Sequence, residues 1–483
     1  MAPPATVSEL QSRIQAQTSE PRFSGAHWGI KVISLETGQT LYERDPLKRL
    51  IPASNTKLFT AAMALEVLGP AYRIRTTLLS SAKPDSHGRL NGDLVVRGEG
   101  DPSFSSRFPG REGQPPLEPL VGAMQRAGVR SVRGNLIADE SAFVGPPFGA
   151  GWMAEDLDAP YSPEISPLSL NENVAEWVIT PGPGAGTSPT IRVPFLPSAI
   201  GFANIARTAL PGTKTDIQSQ RLPGQSLIRI WGEIAADSPP ITNLVAVHRP
   251  AEWFGTALAD AAGQRGIRIT GQVRAVDWFE RRAHPEGVPT LKELAHVDSP
   301  PVSEIVRAML KPSNNQIAEM LLLVAGTREP GGPVGQTTEA RGAAALARFY
   351  KSIPSAPPEP YLEEGSGLSR RHEVSAASLV ALLAHMDRHP AGAAFREALP
   401  VAGVDGTLAT RMRGTAAQNT VRAKTGTLHG VNSLSGYVTT AAGERLAFAI
   451  LLNGYSSPDP QHPARGELDA IAVALAGLQT RSR

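Results

Sequence analysis

The sequence predicts a mixed α/β (α+β) protein: one antiparallel sheet built from both chain ends, helices against it, and a mainly β middle inserted. Three observations lead there. Residues 27–35, HWGIKVISL, and 39–44, QTLYER, flank ETG as a β-hairpin near the start. LSGYVTT (434–440) and RLAFAILLNG (445–454) flank AAGE as a second hairpin near the end. Between these matching ends the composition shifts to short runs punctuated by Pro and Gly, and then to helices.

In chain order, the first hairpin leads into PASNTKLFTAA (52–62). There Ser54 reads as a helix N-cap, and Leu58, Ala61, Ala62, Leu65 and Leu68 recur at helical spacing. Residues 76–145 alternate strand-like runs with turns, as in NGDLVVRGEGDPSF and VRGNLIADESAF. Residues 175–237 continue with TPGPGAGTSPT, VPFLPSA and RLPGQSLIRIWGEI. A helix and then a strand return in AEWFGTALADAAGQRGIRITGQV (251–273). From 303 onward helices dominate: SEIVRAMLK, NQIAEMLLLVAG, EARGAAALARFYKSI and SAASLVALLAHMDR. After the second hairpin, Leu468, Ile471, Ala472, Leu475 and Leu478 mark a terminal amphipathic helix. No repeat of solenoid period interrupts this order.

A chain of 483 residues exceeds one ordinary core and implies two to four domains. Lys and Arg number 47 against 45 Asp and Glu, with no basic block, so no nucleic-acid partner is expected. There is no cysteine, which excludes disulfides, thiolate metal sites and a cysteine nucleophile while leaving the compartment open. The ten histidines form no recognisable metal-binding spacing. LAFAILL is far too short to span a bilayer, and MAPPATVSELQSRIQ lacks the pattern of a signal peptide.

The chemistry begins at Ser54 and Lys57, which share a helix face at i and i+3, placing an amine beside a weak nucleophile. S-x-x-K is common; a second copy, Ser80 to Lys83, sits among turn residues. Two further motifs follow in order: Ser313-Asn314-Asn315, and Lys424-Thr425-Gly426-Thr427, the one K-T-G in the chain. Each is weak alone. SLN at 169–171 is a coincidental S-x-N, Ser313 would cap the helix after it, and a K-T-G strand can be an ordinary edge. Together and in order they are the set S-x-x-K, S-x-N, K-T-G of serine acyl-transfer enzymes. Ser54 supplies the nucleophile, and Lys57 its base once burial and a neighbouring cation, Lys424, lower its pKa. Ser313 can relay a proton to a leaving amine, and Asn315 can hold both a carbonyl and the lysine. Backbone N–H groups of Ser54 and Thr427 would form an oxyanion hole, and Gly426 would let a substrate backbone approach.

The resemblance extends beyond these motifs. GEGDPSF (98–104), DESAF (139–143), GWMAEDLDAPYSPEISPLSLNEN (151–173), GSGLSR (365–370) and AGVDGTLATR (402–411) resemble segments of the class C, low-molecular-mass penicillin-binding proteins. These are the D-alanyl-D-alanine carboxypeptidases/endopeptidases of the penicillin-binding-protein-4 type, peptidase family S13. The resemblance implies a transpeptidase-like domain with a five-stranded antiparallel sheet at 1–75 and 293–483. It would be split by an inserted domain at 76–165 and 238–292 and by a third, nested at 166–237. It further implies a serine D,D-peptidase that removes the terminal D-Ala from peptidoglycan stem peptides through an acyl-Ser54 intermediate, with cleavage of D,D cross-links left open. β-Lactams would acylate Ser54 as covalent inhibitors, no metal or organic cofactor would be needed, and the setting would be periplasmic or otherwise extracytoplasmic. Lys424 with Thr425 or Thr427 would hold the terminal carboxylate. Asp156, Tyr161 and Arg370 resemble the family's grip on the free end of the stem peptide; Arg370 could instead pair with a surface acid, and Tyr161 could be core.

Glu364 stands where the family usually has Asp, and His429, just after K-T-G-T, reads as a solvated loop residue. Two other readings are kept. One is a β-lactamase or esterase on the same scaffold, although no motif places a deacylating group. The other is a non-catalytic cell-wall-binding protein, which would have no need of the Ser–Lys pair.

Overall fold

The computed structural model describes residues 2–195, 200–283, 290–329, 335–459 and 461–482. Residues 196–199 of the expected VPFLPSA run lie outside the described residues. The chain divides into two compact units: Met1–Arg73, Gly149–Gly151 and Pro300–Arg483 form the first, Ile74–Phe148 and Trp152–Ser299 the second.

The first unit is organised by an antiparallel sheet of five strands, ordered Val421–Leu428, Val431–Thr439, Arg445–Asn453, His27–Ser34 and Thr40–Arg44. Strands from both chain ends meet at its centre, where Ile30 lies opposite Ile450. Alternation sorts the side chains: Trp28, Ile30 and Val32 join Leu446, Phe448, Ile450 and Leu452 in one buried cluster. Leu10 and Ile14 of helix Val7–Thr18, and Leu468, Ile471 and Leu475 of helix Arg465–Ala476, complete that cluster. The other face receives helix Ala376–Arg388, tied by the Tyr437 hydroxyl donating to the Leu383 carbonyl at 2.8 Å.

Helix Thr56–Val67 lies among the helices of this unit and is buried from Thr56 through Leu65. A helix buried all round needs no polar face, so the apolar stripe read from the sequence understates its burial. Ser54 does not cap it. The serine sits in a 3₁₀ turn, Ala53–Asn55, and the helix begins one residue later at Thr56. Nor does Ser313 cap helix Asn315–Arg328: Asn314 does, its side chain accepting from the Ile317 N–H at 2.9 Å.

The second unit carries a mixed sheet ordered Val273–Val276, Leu136–Asp139, Leu94–Gly98, Arg75–Ser80 and Lys292–Asp298, with three smaller sheets. Lys292–Asp298 pairs antiparallel with Arg75–Ser80, so the inserted part extends to Ser299 rather than ending at 292. Among its described residues are three helices, Glu118–Arg126, Pro250–Gln264 and the short Trp278–Ala283, the first unheralded in the sequence. Leu78, Leu94 and Leu136 share one core with Trp177, Ile179, Ile228 and Ile234, residues from both expected inserted domains. Ser80, of the second S-x-x-K, ends a strand and donates to the Asp93 carbonyl at 2.8 Å. Among the described residues no helix is long and apolar enough to cross a membrane.

Candidate active site

The nucleophile turn is held against the K-T-G strand by side chains that the motifs do not include. Asn55 Nδ2 donates to the Lys424 carbonyl at 3.1 Å and to Ser433 Oγ at 2.8 Å, and Ser433 Oγ donates to the Pro52 carbonyl at 2.7 Å. Gly426 lies opposite Ser433 in the ladder. A Cβ at Gly426 would stand 2.2 Å from Ser433 Oγ, 2.7 Å from the Pro52 oxygen and 2.9 Å from the Ser54 nitrogen. The glycine is therefore required by the nucleophile turn itself, not only by an approaching substrate.

Lys57 is buried, with its amine at the centre of the site. Nζ lies 3.0 Å from Ser54 Oγ, 2.6 Å from Asn315 Oδ1 and 2.6 Å from the Ser366 carbonyl oxygen. The last two partners can only accept, so they take two N–H bonds. The remaining direction faces Ser54. In the neutral amine that direction holds a lone pair, placed to accept the hydroxyl proton. Burial lowers the Lys57 pKa to about 8, against the opposing pull of the Glu364 and Glu319 carboxyl pair. Of the two causes expected from the sequence, burial and a neighbouring cation, burial is the one that depresses it.

Lys424 is also fully buried; Nζ donates to Ser313 Oγ at 2.8 Å and to the Thr425 carbonyl at 2.7 Å. Burial, Lys57 and Arg411 push its pKa well below the usual lysine value. Ser54, Ser313 and Asn315 are part-exposed and Thr427 is exposed, so a substrate can reach the groups it would touch. Thr425 Oγ1 pairs with Thr407 Oγ1 at 2.8 Å, bringing in a hydroxyl from the AGVDGTLATR segment that none of the three catalytic motifs includes.

The three motifs thus converge within the first unit, and Arg370 joins them there. Its Nη1 donates to the His429 carbonyl at 3.1 Å rather than to a surface acid. His429 is exposed, as a solvated loop residue should be. Asp156 and Tyr161 belong to the second unit, where the Tyr161 hydroxyl donates to Asp156 Oδ1 at 2.7 Å; at 49 % exposure Tyr161 is not core.

Beneath the site lie residues the sequence reading missed. Glu319, one helical turn beyond Asn315, accepts from the Gly365 and Ser366 N–H groups at 3.1 and 2.9 Å. His372, buried, places Nδ1 3.1 Å from Thr56 Oγ1, while Nε2 accepts from the Glu363 N–H at 3.1 Å, which makes it a neutral ring. A glutamate inside the apolar run IAEMLLLVAG was a usable signal, because a buried carboxyl needs partners. Among the described residues no cluster of three or more His, Asp or Glu could hold a metal ion.

Comparison with known proteins gives a consistent assignment. A family model described as the D-Ala-D-Ala carboxypeptidase 3 (S13) family matches residues 10–475. The D-alanyl-D-alanine carboxypeptidase of Actinomadura sp. (strain R39) is 35% identical over 490 residues, covering 98% of this chain and 85% of that protein. D-alanyl-D-alanine carboxypeptidase DacB of Haemophilus influenzae is 26% identical over 445 residues, covering 90% of this chain and 87% of its own. The crystal structure of penicillin binding protein 4 from Haemophilus influenzae matches with a TM-score of 0.80 at 25% identity, covering 96% of this chain and 98% of that one.

Proposed function

The chain belongs to the D-Ala-D-Ala carboxypeptidase (S13) family, and from that premise we propose a residue-level mechanism for its serine D,D-peptidase chemistry. One observation carries the proposal: Lys57 Nζ spends two hydrogens on Asn315 Oδ1 and the Ser366 carbonyl and turns its remaining position to Ser54 Oγ at 3.0 Å. Neutral Lys57 takes the hydroxyl proton as Ser54 Oγ attacks the carbonyl between the two terminal D-alanines. The C–N bond breaks, the released amine of D-Ala receives a proton through Ser313, and the acyl group stays on Ser54. Water then cleaves the ester, with Lys57 again accepting a proton and Ser54 regaining its own.

Lys424 orients Ser313 through the Nζ hydrogen bond to its hydroxyl, and with Thr425 or Thr427 it holds the terminal carboxylate. Gly426 keeps the strand close enough for the Ser54 and Thr427 N–H groups to serve the oxyanion. The same attack on a β-lactam ring opens it and leaves the acyl group on Ser54. Cross-links in which D-Ala acylates the amine of a diamino acid present the same carbonyl. Asp156, Tyr161 and Arg370 are carried as candidates for the free end of the stem peptide on resemblance alone, and the nested domain at 166–237 likewise. A peptidoglycan substrate implies work outside the cytoplasmic membrane, in a periplasm or its equivalent.

The test is intact mass after incubation with benzylpenicillin, followed by peptide mapping. A penicilloyl adduct on Ser54, absent from Ser54→Ala, is the expected result. An unmodified chain with unchanged antibiotic would overturn the assignment. Consumed antibiotic without a lasting adduct would replace it with the β-lactamase reading.

A further inference from the structure

Two buried carboxyl groups grip the peptide whose carbonyl holds Lys57. The Ser366 N–H lies 2.9 Å from Glu319 Oε1 and 2.6 Å from Glu364 Oε2. Gly365 N–H donates to Glu319 at 3.1 Å, and Gly367 N–H to Glu364 at 2.6 Å. Ser366 Oγ donates to Glu364 Oε2 at 2.5 Å. Both glutamates are 1 % exposed, and their carboxyl groups meet at the one Ser366 N–H. Two bare carboxylates this close, without solvent, would repel strongly.

We propose that Glu319 and Glu364 share one proton as a carboxylic acid–carboxylate pair, and that the pair is a positioning device for the nucleophile's base. Through the Ser366 carbonyl it sets where the Lys57 amine sits, and through its single negative charge it sets the pH at which that amine can take the Ser54 proton. This inference rests on the reading of Ser54 and Lys57 as the acylating pair.

The environment places the proton on Glu319. Burial, Glu364 and Glu339 hold the Glu319 pKa well above the carboxylate range. For Glu364 burial pushes upward, but Glu319, the nearby His372 ring and the hydrogen bonds from Ser366 outweigh it and hold the group below the usual carboxylate range. The other charged or titratable groups facing the pair are few. Lys57 comes from the helix Thr56–Val67, with Lys424 behind it. Glu339, held near 7 by burial, comes from helix Thr338–Lys351, and Glu363, Arg371 and neutral His372 from the neighbouring loop. The net charge beside Lys57 is therefore carried by Glu364.

The experiment measures the rate of penicilloyl–Ser54 formation against pH for the intact chain and for Glu319→Gln and Glu364→Gln. Glu364→Gln removes the carboxylate while burial and Glu339 still hold Glu319 protonated, so the Lys57 pKa falls and the acid limb moves to lower pH by about one unit or more. Glu319→Gln leaves the charge in place, so its limb stays where the unaltered chain has it, although the plateau falls with the altered hydrogen bonds. A support that was only structural would lower both plateaus and move neither limb. Coincident limbs in Glu364→Gln and the unaltered chain, or equal shifts in both variants, overturn the proposal. If the unaltered chain forms no adduct, it is the acyl-serine reading that fails.

Infrared spectroscopy needs no folded variant. Above pH 8, where Glu140 and Glu339, both near 7, have ionised, the unaltered chain should keep a protonated-carboxyl carbonyl band. Its absence would equally overturn the proposal.

Discussion

Lys57 is the residue on which the chemistry turns, and its environment fixes a pH signature. Its amine is a base only when neutral, and burial has brought its pKa to about 8. A depressed lysine pKa means the neutral form dominates above that value and is lost below it. Acylation of Ser54 by benzylpenicillin should therefore level off above pH 8 and fall about tenfold per unit below it. Lys57→Ala should slow adduct formation by about 10²–10⁴-fold at the plateau. Rapid-quench mass spectrometry checks both; a flat profile between pH 6 and 9 would remove Lys57 from the role of base. At this scale the sequence was legible wherever chemistry demands a short local pattern. Ser54 with Lys57, Ser313 with Asn315, and Lys424 with Thr425 all come together as their order implied. What stayed hidden is what supports them. Ser433 meets Asn55 across 378 positions and His372 meets Thr56 across 316, separations at which no motif exists to read. Ser54 itself was misread as a cap, because an N-cap serine and a serine in a 3₁₀ turn look alike in sequence.

Among the elements, the contact that matters most is the K-T-G strand against the nucleophile turn. Gly426→Ala would drive a methyl group into Ser433 Oγ, the Pro52 carbonyl and the Ser54 N–H, two of which are backbone and cannot rotate away. The turn must then move off the strand. A displacement near 1 Å costs on the order of 10²-fold in rate, so Gly426→Ala should acylate about a hundred times more slowly while its far-UV circular dichroism stays unchanged. Retained full rate would mean the turn has slack that the packing does not show. The strands of the catalytic sheet were readable because alternation and turn residues mark both hairpins. Helix Val7–Thr18 was not, since it buries only Leu10, Ile14 and Thr18 and its start depends on Thr6 accepting from the Glu9 N–H. Helix Glu118–Arg126 was masked by the proline-rich run before it.

For the whole molecule, the question is what the catalytic unit needs from the chain inserted into it. The outer crossing points, between Arg73 and Ile74 and between Ser299 and Pro300, each close locally. Within the first unit the Val302 N–H donates to the Tyr72 carbonyl at 2.9 Å and the Ser303 N–H to the Pro70 carbonyl at 3.1 Å. Within the second, the Ser299 N–H donates to the Ile74 carbonyl at 2.9 Å. The composition shift revealed that an insert exists, but its far edge was misplaced, because KELAHVD becomes a strand only through its partner Arg75–Ser80. With the true edges known, Ile74–Ser299 can be replaced by a short Gly–Ser link joining residues already side by side, a modest closure cost. One loss is identifiable: Gly149–Gly151 goes with the insert, and the Ala150 N–H that donates to Glu339 Oε1 at 2.8 Å goes with it. Leaving that acceptor short of a donor costs about 1–3 kcal/mol. The shortened chain should therefore melt lower yet fold, and still acquire a benzylpenicillin adduct on Ser54. Failure to fold would show that the insert's packing is part of the catalytic unit's stability. A retained adduct with lost hydrolysis of D-Ala-D-Ala stem peptides would instead assign substrate handling to residues of the insert, leaving the acylating machinery complete without them.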